Sequence, residues 1–150
     1  MRPRWFTALG VTMALVGLGA QVASAKVPPS QMARWKAVEA AFSGPDGKWS
    51  RSLQSLSPNS PVAKIQKPCL AFVPALKAFD TGLLKVGFTG KTATDAAAIV
   101  SSNQQLIVLM SSIHSTRSFE TGFSAIFAKD LGLQQAFAKD LGLPAGDVYI

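Results

Sequence analysis

Residues 118–143 read SFETGFSAIFAKDLGLQQAFAKDLGL, and this stretch decides the fold class. Phe119, Phe123, Phe127 and Leu131 recur every four residues, and Ile126 joins them. Apolar residues at that interval line one side of a helix, whereas strands need strict alternation. Ser118 stands ahead of the stripe as a candidate N-cap, and Gly142-Leu143-Pro144 carries the chemistry of a helix stop. Phe127–Leu133 and Phe137–Leu143 are both FAKDLGL. A repeat of ten residues is a rotation of about 1000°, which sets the second copy about 80° from the first on nearly the same face. Two copies are too few for a solenoid, so a small local duplication is the simpler reading. Gly132 is then either a glycine inside the helix or a break in it.

The same periodicity extends towards the N-terminus, giving four or five helical segments. Ile99, Asn103, Leu106, Met110 and Ile113 share a face, widened by Val100 and Ile107. That helix is expected from about Thr94 to His114 or Ser115, after a loop over Phe88–Thr92. Val62, Ile65, Cys69, Phe72, Leu76, Phe79 and Leu83 form another stripe, opening at Pro61 and closing at Gly87. Pro68 and Pro74 interrupt it, and each removes an intrahelical hydrogen bond, so a kink or break is expected there. Met32, Trp35, Val38 and Phe42 form the first stripe, with Ser30 as its cap and Gly44-Pro45 as its end. The turn-rich residues 44–60 then hold at most one short helix around Trp49–Leu56. The reading is an all-α bundle of about four helices.

Residues 1–25 have a different purpose. Arg2 and Arg4 precede nineteen uncharged residues from Trp5 to Ala23, and Ala23-Ser24-Ala25 forms a small-residue cleavage site. Those are the parts of a secretory signal peptide. An uncleaved anchor is the alternative, since that length approaches a membrane span. Gly10, Gly17 and Gly19 weaken such a helix, and the cleavage site is well positioned. The expected organisation is a signal peptide over 1–25 and one helical domain over 26–150, with 144–150 a flexible tail. The expected location is the cell envelope, periplasm or extracellular space.

Lys139-Asp-Leu-Gly-Leu-Pro144, closing an exported helical domain of this size, resembles the ending of small secreted helical proteins of actinobacteria, most of them uncharacterised. The resemblance covers the layout and those six residues. It implies an exported helical bundle and brings no catalytic residue with it. The doubled FAKDLGL departs from that pattern.

Composition narrows the function. The chain of 150 residues has 15 Lys and Arg against 8 Asp and Glu, a formal charge of +7. Losing Arg2 and Arg4 with the signal leaves 13 bases against 8 acids, or +5. One Cys and one His cannot make a four-ligand zinc site. One His cannot supply the two Glu-x-x-His motifs of a di-iron bundle. There is no CxxCH for covalent haem, and His114 with Met32 or Met110 is a weak axial pair next to their use as core residues. Gly87-Phe-Thr-Gly90-Lys91-Thr92 is half a phosphate loop, but Lys85 stands where the first glycine belongs. His114 lies near Ser111, Ser112 and Ser115 in sequence without an orienting carboxylate in any motif. Cys69 sits on an apolar stripe and is expected to be buried. Asp95 and Glu120 are expected to complement helix N-termini.

The expectation is therefore a non-catalytic protein with no catalytic, metal or cofactor residues. Its partner is an envelope polyanion, an anionic membrane surface or a protein, not nucleic acid. Lys64, Lys67, Lys77, Lys85 and Lys91 give one segment most of its charge, with Asp80 its only acid. A carrier of an apolar small molecule or lipid is the alternative, with Phe72, Phe119, Phe123 and Phe127 lining the space between helices. An enzyme without a recognisable motif is the third class.

Overall fold

The computed structural model describes residues 27–57 and 59–144, so the segment read as a signal peptide and the end of the expected tail lie outside the described residues. Four helices follow one another: α1 Pro29–Gln54, α2 Val62–Lys85, α3 Gly90–Ser111 and α4 Thr116–Leu141. No strand occurs among the described residues. The short connections force each helix to run back along its predecessor, and hydrogen bonds fix that up-down-up-down order. Gln31 Nε2 at the start of α1 donates to the Gly87 carbonyl just beyond α2 (2.8 Å). Gln66 near the start of α2 donates to the Ile113 carbonyl after α3 (2.9 Å). Thr116 Oγ1 opens α4 by donating to the Ser60 carbonyl (2.8 Å). Lys91 at the start of α3 reaches Asp140 at the end of α4 (3.0 Å).

The apolar stripes meet at the centre of this bundle. Ile65, Cys69, Phe72, Leu76, Phe79 and Leu83 of α2 are buried, as are Ile99, Val100, Asn103 and Met110 of α3. α1 packs on α2, α2 on α3 and α3 on α4. The backbones of α1 and α4 stay farther apart. Long side chains close that seam, with Trp35 edge-on to Phe137 (5.2 Å) and Trp49 edge-on to Phe123 (5.8 Å).

Several boundaries differ from the sequence expectation. α1 does not end at Gly44-Pro45, and no separate helix covers Trp49–Leu56. One helix runs through Gly44, Pro45 and Gly47 to Gln54. Pro45 costs about 3 kcal/mol inside a helix. Ending there would instead expose Trp49 and Leu53, which continue the buried face of Trp35 and Phe42. Burying side chains of that size is worth about 2–3 kcal/mol each, so packing outweighs propensity. α2 is likewise unbroken through Pro68 and Pro74.

Helix starts also move. α1 opens with Pro28 as its N-cap and Pro29 at the first position, not at Ser30, because a proline there loses an N–H that has no helical partner anyway. α2 takes Pro61 as its N-cap. α3 starts at Gly90, four residues before Thr94. α4 starts at Thr116, where the Ser115 hydroxyl, not Ser118, accepts the cap bond from the Ser118 N–H (3.1 Å). Asp95 and Glu120 therefore lie beyond the first turns and do not complement those N-termini.

The stripe in α4 drifts. A strict four-residue step advances about 40° beyond a full turn, so three steps carry Leu131 round to solvent. The buried face instead runs Phe119, Phe123, Asp130, Gln134, Phe137, Ala138 and Leu141, with Phe127 half-buried. The two FAKDLGL copies consequently have different fates. In the first, Asp130 is the only buried residue; in the second, Phe137, Ala138 and Leu141 are buried. Gly132 is an interior helical glycine facing solvent, whereas Gly142 turns the chain at φ 71°. There the Leu143 N–H bonds to the Ala138 carbonyl (2.9 Å) and the Gly142 N–H to that of Lys139 (3.1 Å), the paired closure of a Schellman motif.

Candidate functional site

Three features bear on function: the aromatic core, a polar cluster inside it, and the distribution of charge outside it. Every Phe and Trp among the described residues belongs to one chain of ring contacts. It passes from Phe88 to Phe137, Trp35, Phe79, Phe42, Phe72, Trp49 and Phe123, where it forks to Phe119 and Phe127. Phe72 lies flat on Trp49 (4.6 Å, 4°), and Trp49 lies against Phe123. Phe119, Phe123 and Phe127 stack in series at 5.7 and 5.8 Å. The four phenylalanines named as ligand-lining residues are thus brought to one end of the bundle, Phe72 across Trp49 from the others. They are in contact with other rings, the arrangement of aromatics that fill a core.

The polar cluster joins α2, α3 and α4. Asp80 accepts a hydrogen bond from Asn103 Nδ2 (2.7 Å), and Asp130 accepts one from Gln134 Nε2 (2.8 Å). All four residues are buried, as is Ser102. The Ser102 hydroxyl and Asp130 Oδ1 complete no hydrogen bond, although the hydroxyl lies close enough to favour the ionised carboxylate. Burial pushes the Asp80 carboxyl up to about 6; the Asn103 hydrogen bond works against that, and the charge of Asp130 adds to it. Burial also raises Asp130, opposed by Ser102, Gln134 and Lys129. This arrangement can hold a proton near neutral pH. Its residues, the Ser102 hydroxyl included, are all buried within the bundle. No group of three or more His, Cys, Asp and Glu lies together among the described residues.

Charge on the outside is one-sided. Every described Lys and Arg side chain belongs to an exposed residue, whereas every described Asp and Glu is at least partly buried. Burial raises Asp46, Asp80, Glu120 and Asp130 alike, so these four give up their protons less readily than free carboxyls, while the bases stand in water. α2 is the extreme case. Lys64, Lys67, Lys77 and Lys85 are exposed, and Asp80, its only acid, points into the core.

The remaining singled-out residues are engaged elsewhere. Lys91 pairs with Asp95 (2.5 Å) and Asp140 (3.0 Å), which raises its own pKa and takes it away from any phosphate loop. His114 is exposed between α3 and α4. The Ser111 and Ser112 hydroxyls donate to the Ile107 and Val108 carbonyls of their own helix, not to His114 (2.7 and 2.8 Å). Cys69 is buried, as expected, and burial pushes its thiol up to about 11 against a weak opposing effect of Trp49. No described helix is long and apolar enough to cross a membrane.

Sequence reasoning missed the polar cluster. Its signal was Asn103, an amide on an apolar stripe, which has to find a buried partner. Compared with known proteins, the chain matches no family model, no curated protein and no solved structure. The functional reading therefore rests on the residues themselves.

Proposed function

We propose that this chain is exported and that residues 26–150 form a non-catalytic helical bundle which recognises an anionic partner in the cell envelope or extracellular space. The observation that carries this reading is the charge partition, with all described cations exposed and all described carboxylates at least partly withdrawn. A surface of one sign attracts oppositely charged partners and repels like ones. Arg2 and Arg4, the uncharged residues to Ala23 and the Ala23-Ser24-Ala25 site support export. The ring-to-ring contacts of Phe72, Phe119, Phe123 and Phe127 favour recognition by the surface over carriage of an apolar ligand inside.

The test expresses the full chain in a bacterial host and recovers the exported fraction. Intact mass is expected to place the N-terminus at Lys26. The product is expected to be retained on a polyanionic matrix at about 0.15 M salt and to elute as salt screens the attraction. Full-length protein held in the cytoplasm, or passage through the matrix at that ionic strength, overturns the proposal.

A further inference from the structure

We infer that the outer face of α2 is a docking surface for an anionic lipid bilayer, on which the helix lies flat. The inference rests on the anionic-partner reading and names the partner. Leu70 and Leu84 are 53% and 56% exposed, and they are the two of the four exposed large apolar residues, among those described, that share one helix. They stand fourteen residues apart with Lys77 midway, and steps of seven residues keep all three on one stripe about 21 Å long. Lys67 lies one turn before Leu70, and Lys85 follows Leu84, so each leucine has an ammonium beside it. Ala71, Pro74, Ala78 and Thr81 complete the exposed face. None of these side chains is large enough to hold a flat surface away from the leucines.

Charge complementarity selects the occupant. The Asp80 carboxylate is withdrawn against Asn103 on the far side of the helix, so no acid of α2 opposes the lysines. Exposed leucines among lysines, with no carboxylate, match the boundary between anionic headgroups and acyl chains. There leucine enters the apolar layer, and lysine stems reach back to the phosphates. A soluble polyanion would use the lysines and leave both leucines in water. The other rich cationic face, Arg34, Lys36, Lys48 and Arg51 of α1, has no exposed large apolar residue. The proposed contact is with the bilayer surface, and no described helix is long and apolar enough to cross it.

The experiment uses the exported product of the full chain with vesicles of phosphatidylcholine alone or with 30% phosphatidylglycerol. Cosedimentation is expected only with the anionic vesicles. Each lysine near such a surface contributes about fivefold in affinity, so neutralising all four (Lys64→Gln, Lys67→Gln, Lys77→Gln, Lys85→Gln) weakens binding by roughly tens to hundreds of fold. The matched set on α1 (Arg34→Gln, Lys36→Gln, Lys48→Gln, Arg51→Gln) is expected to lose less than a tenth of that. Leu70→Gln with Leu84→Gln weakens vesicle binding and leaves retention on a soluble polyanion unchanged. All these positions are exposed, and unchanged thermal unfolding checks the fold of each variant. Equal loss from the α1 and α2 sets overturns the inference. So does polyanion binding without vesicle binding, an outcome in which the broader anionic-partner reading stands.

Discussion

Replacing Asp80 by Asn makes this bundle more stable at neutral pH, although it alters a buried hydrogen-bonded side chain. Asp80 accepts from Asn103 at 2.7 Å, and an asparagine in its place keeps a carbonyl oxygen for that bond. Asp130, whose Oδ1 has no hydrogen-bond partner, is close enough for its charge to act on Asp80. What disappears is a charge that burial and Asp130 oppose, which move the carboxyl from 3.8 up to about 6. A tenfold change in proton affinity is worth about 1.36 kcal/mol, so ionised Asp80 costs the fold roughly 3 kcal/mol. The sign follows from linkage. A carboxyl whose folded value is raised binds its proton more tightly in the folded state, so its contribution is full below about pH 4 and is lost as pH rises through about 6. From this group the native chain gains about 1.4 kcal/mol on going from pH 8 to pH 5. Asp130, raised by burial, adds in the same direction. The assay is urea unfolding of both proteins at pH 5, 6.5 and 8. At about 1–3 kcal/mol per molar urea, the midpoint of Asp80→Asn at pH 8 rises by about 1–3 M. The advantage shrinks at pH 5. A variant less stable than the native chain at pH 8, or an advantage that does not change with pH, refutes the reasoning.

The two repeat glycines respond in opposite directions to the same substitution. Gly132→Ala gains about 1 kcal/mol in thermal unfolding, because a Cβ there meets nothing within 4 Å in a helix interior. Gly142→Ala loses about 1 kcal/mol, because its φ of 71° suits glycine; a shift of the same sign at both sites contradicts the structure. Phe137→Ala costs about 3–5 kcal/mol, as a fully buried ring does. Phe127→Ala, half-buried at the end of the ring chain, costs less than half of that by the same denaturation assay. Cys69 stays unlabelled by a thiol reagent at pH 8 until urea unfolds the chain, since its thiol is buried and pushed up to about 11; fast labelling of the native protein contradicts this.

Most of the helical content was legible because apolar spacing is a local signal, and the buried residues of α2 and α3 are mostly those of their stripes, with Asp80, Ala96 and Ser102 added. The end of α1 was not, because Gly44-Pro45 reads as a stop to any local rule. Burial of Trp49 against Phe72 and Phe123, and of Leu53 in the core, makes continuation worthwhile. Of the candidate site, the lysines of α2 were legible as residues. Their freedom from a neighbouring carboxylate was not, because the direction of Asp80 is set by Asn103 on another helix.

The repeat separates the two kinds of information most clearly. The sequence by itself determined that FAKDLGL occurs twice, in a helix, about 80° apart. It also determined that one Cys and one His leave packing to stabilise the fold. The tertiary structure alone decided what each copy does. One aspartate is drawn into the core beside Gln134, and the other stays at the surface with Lys91. One glycine continues the helix, and the other ends it. Identical segments have identical intrinsic propensities, so the difference comes from the neighbours each rotation presents. The deciding neighbours, Ser102 beside Asp130 and Lys91 beside Asp140, lie on α3, at distances no local pattern encodes.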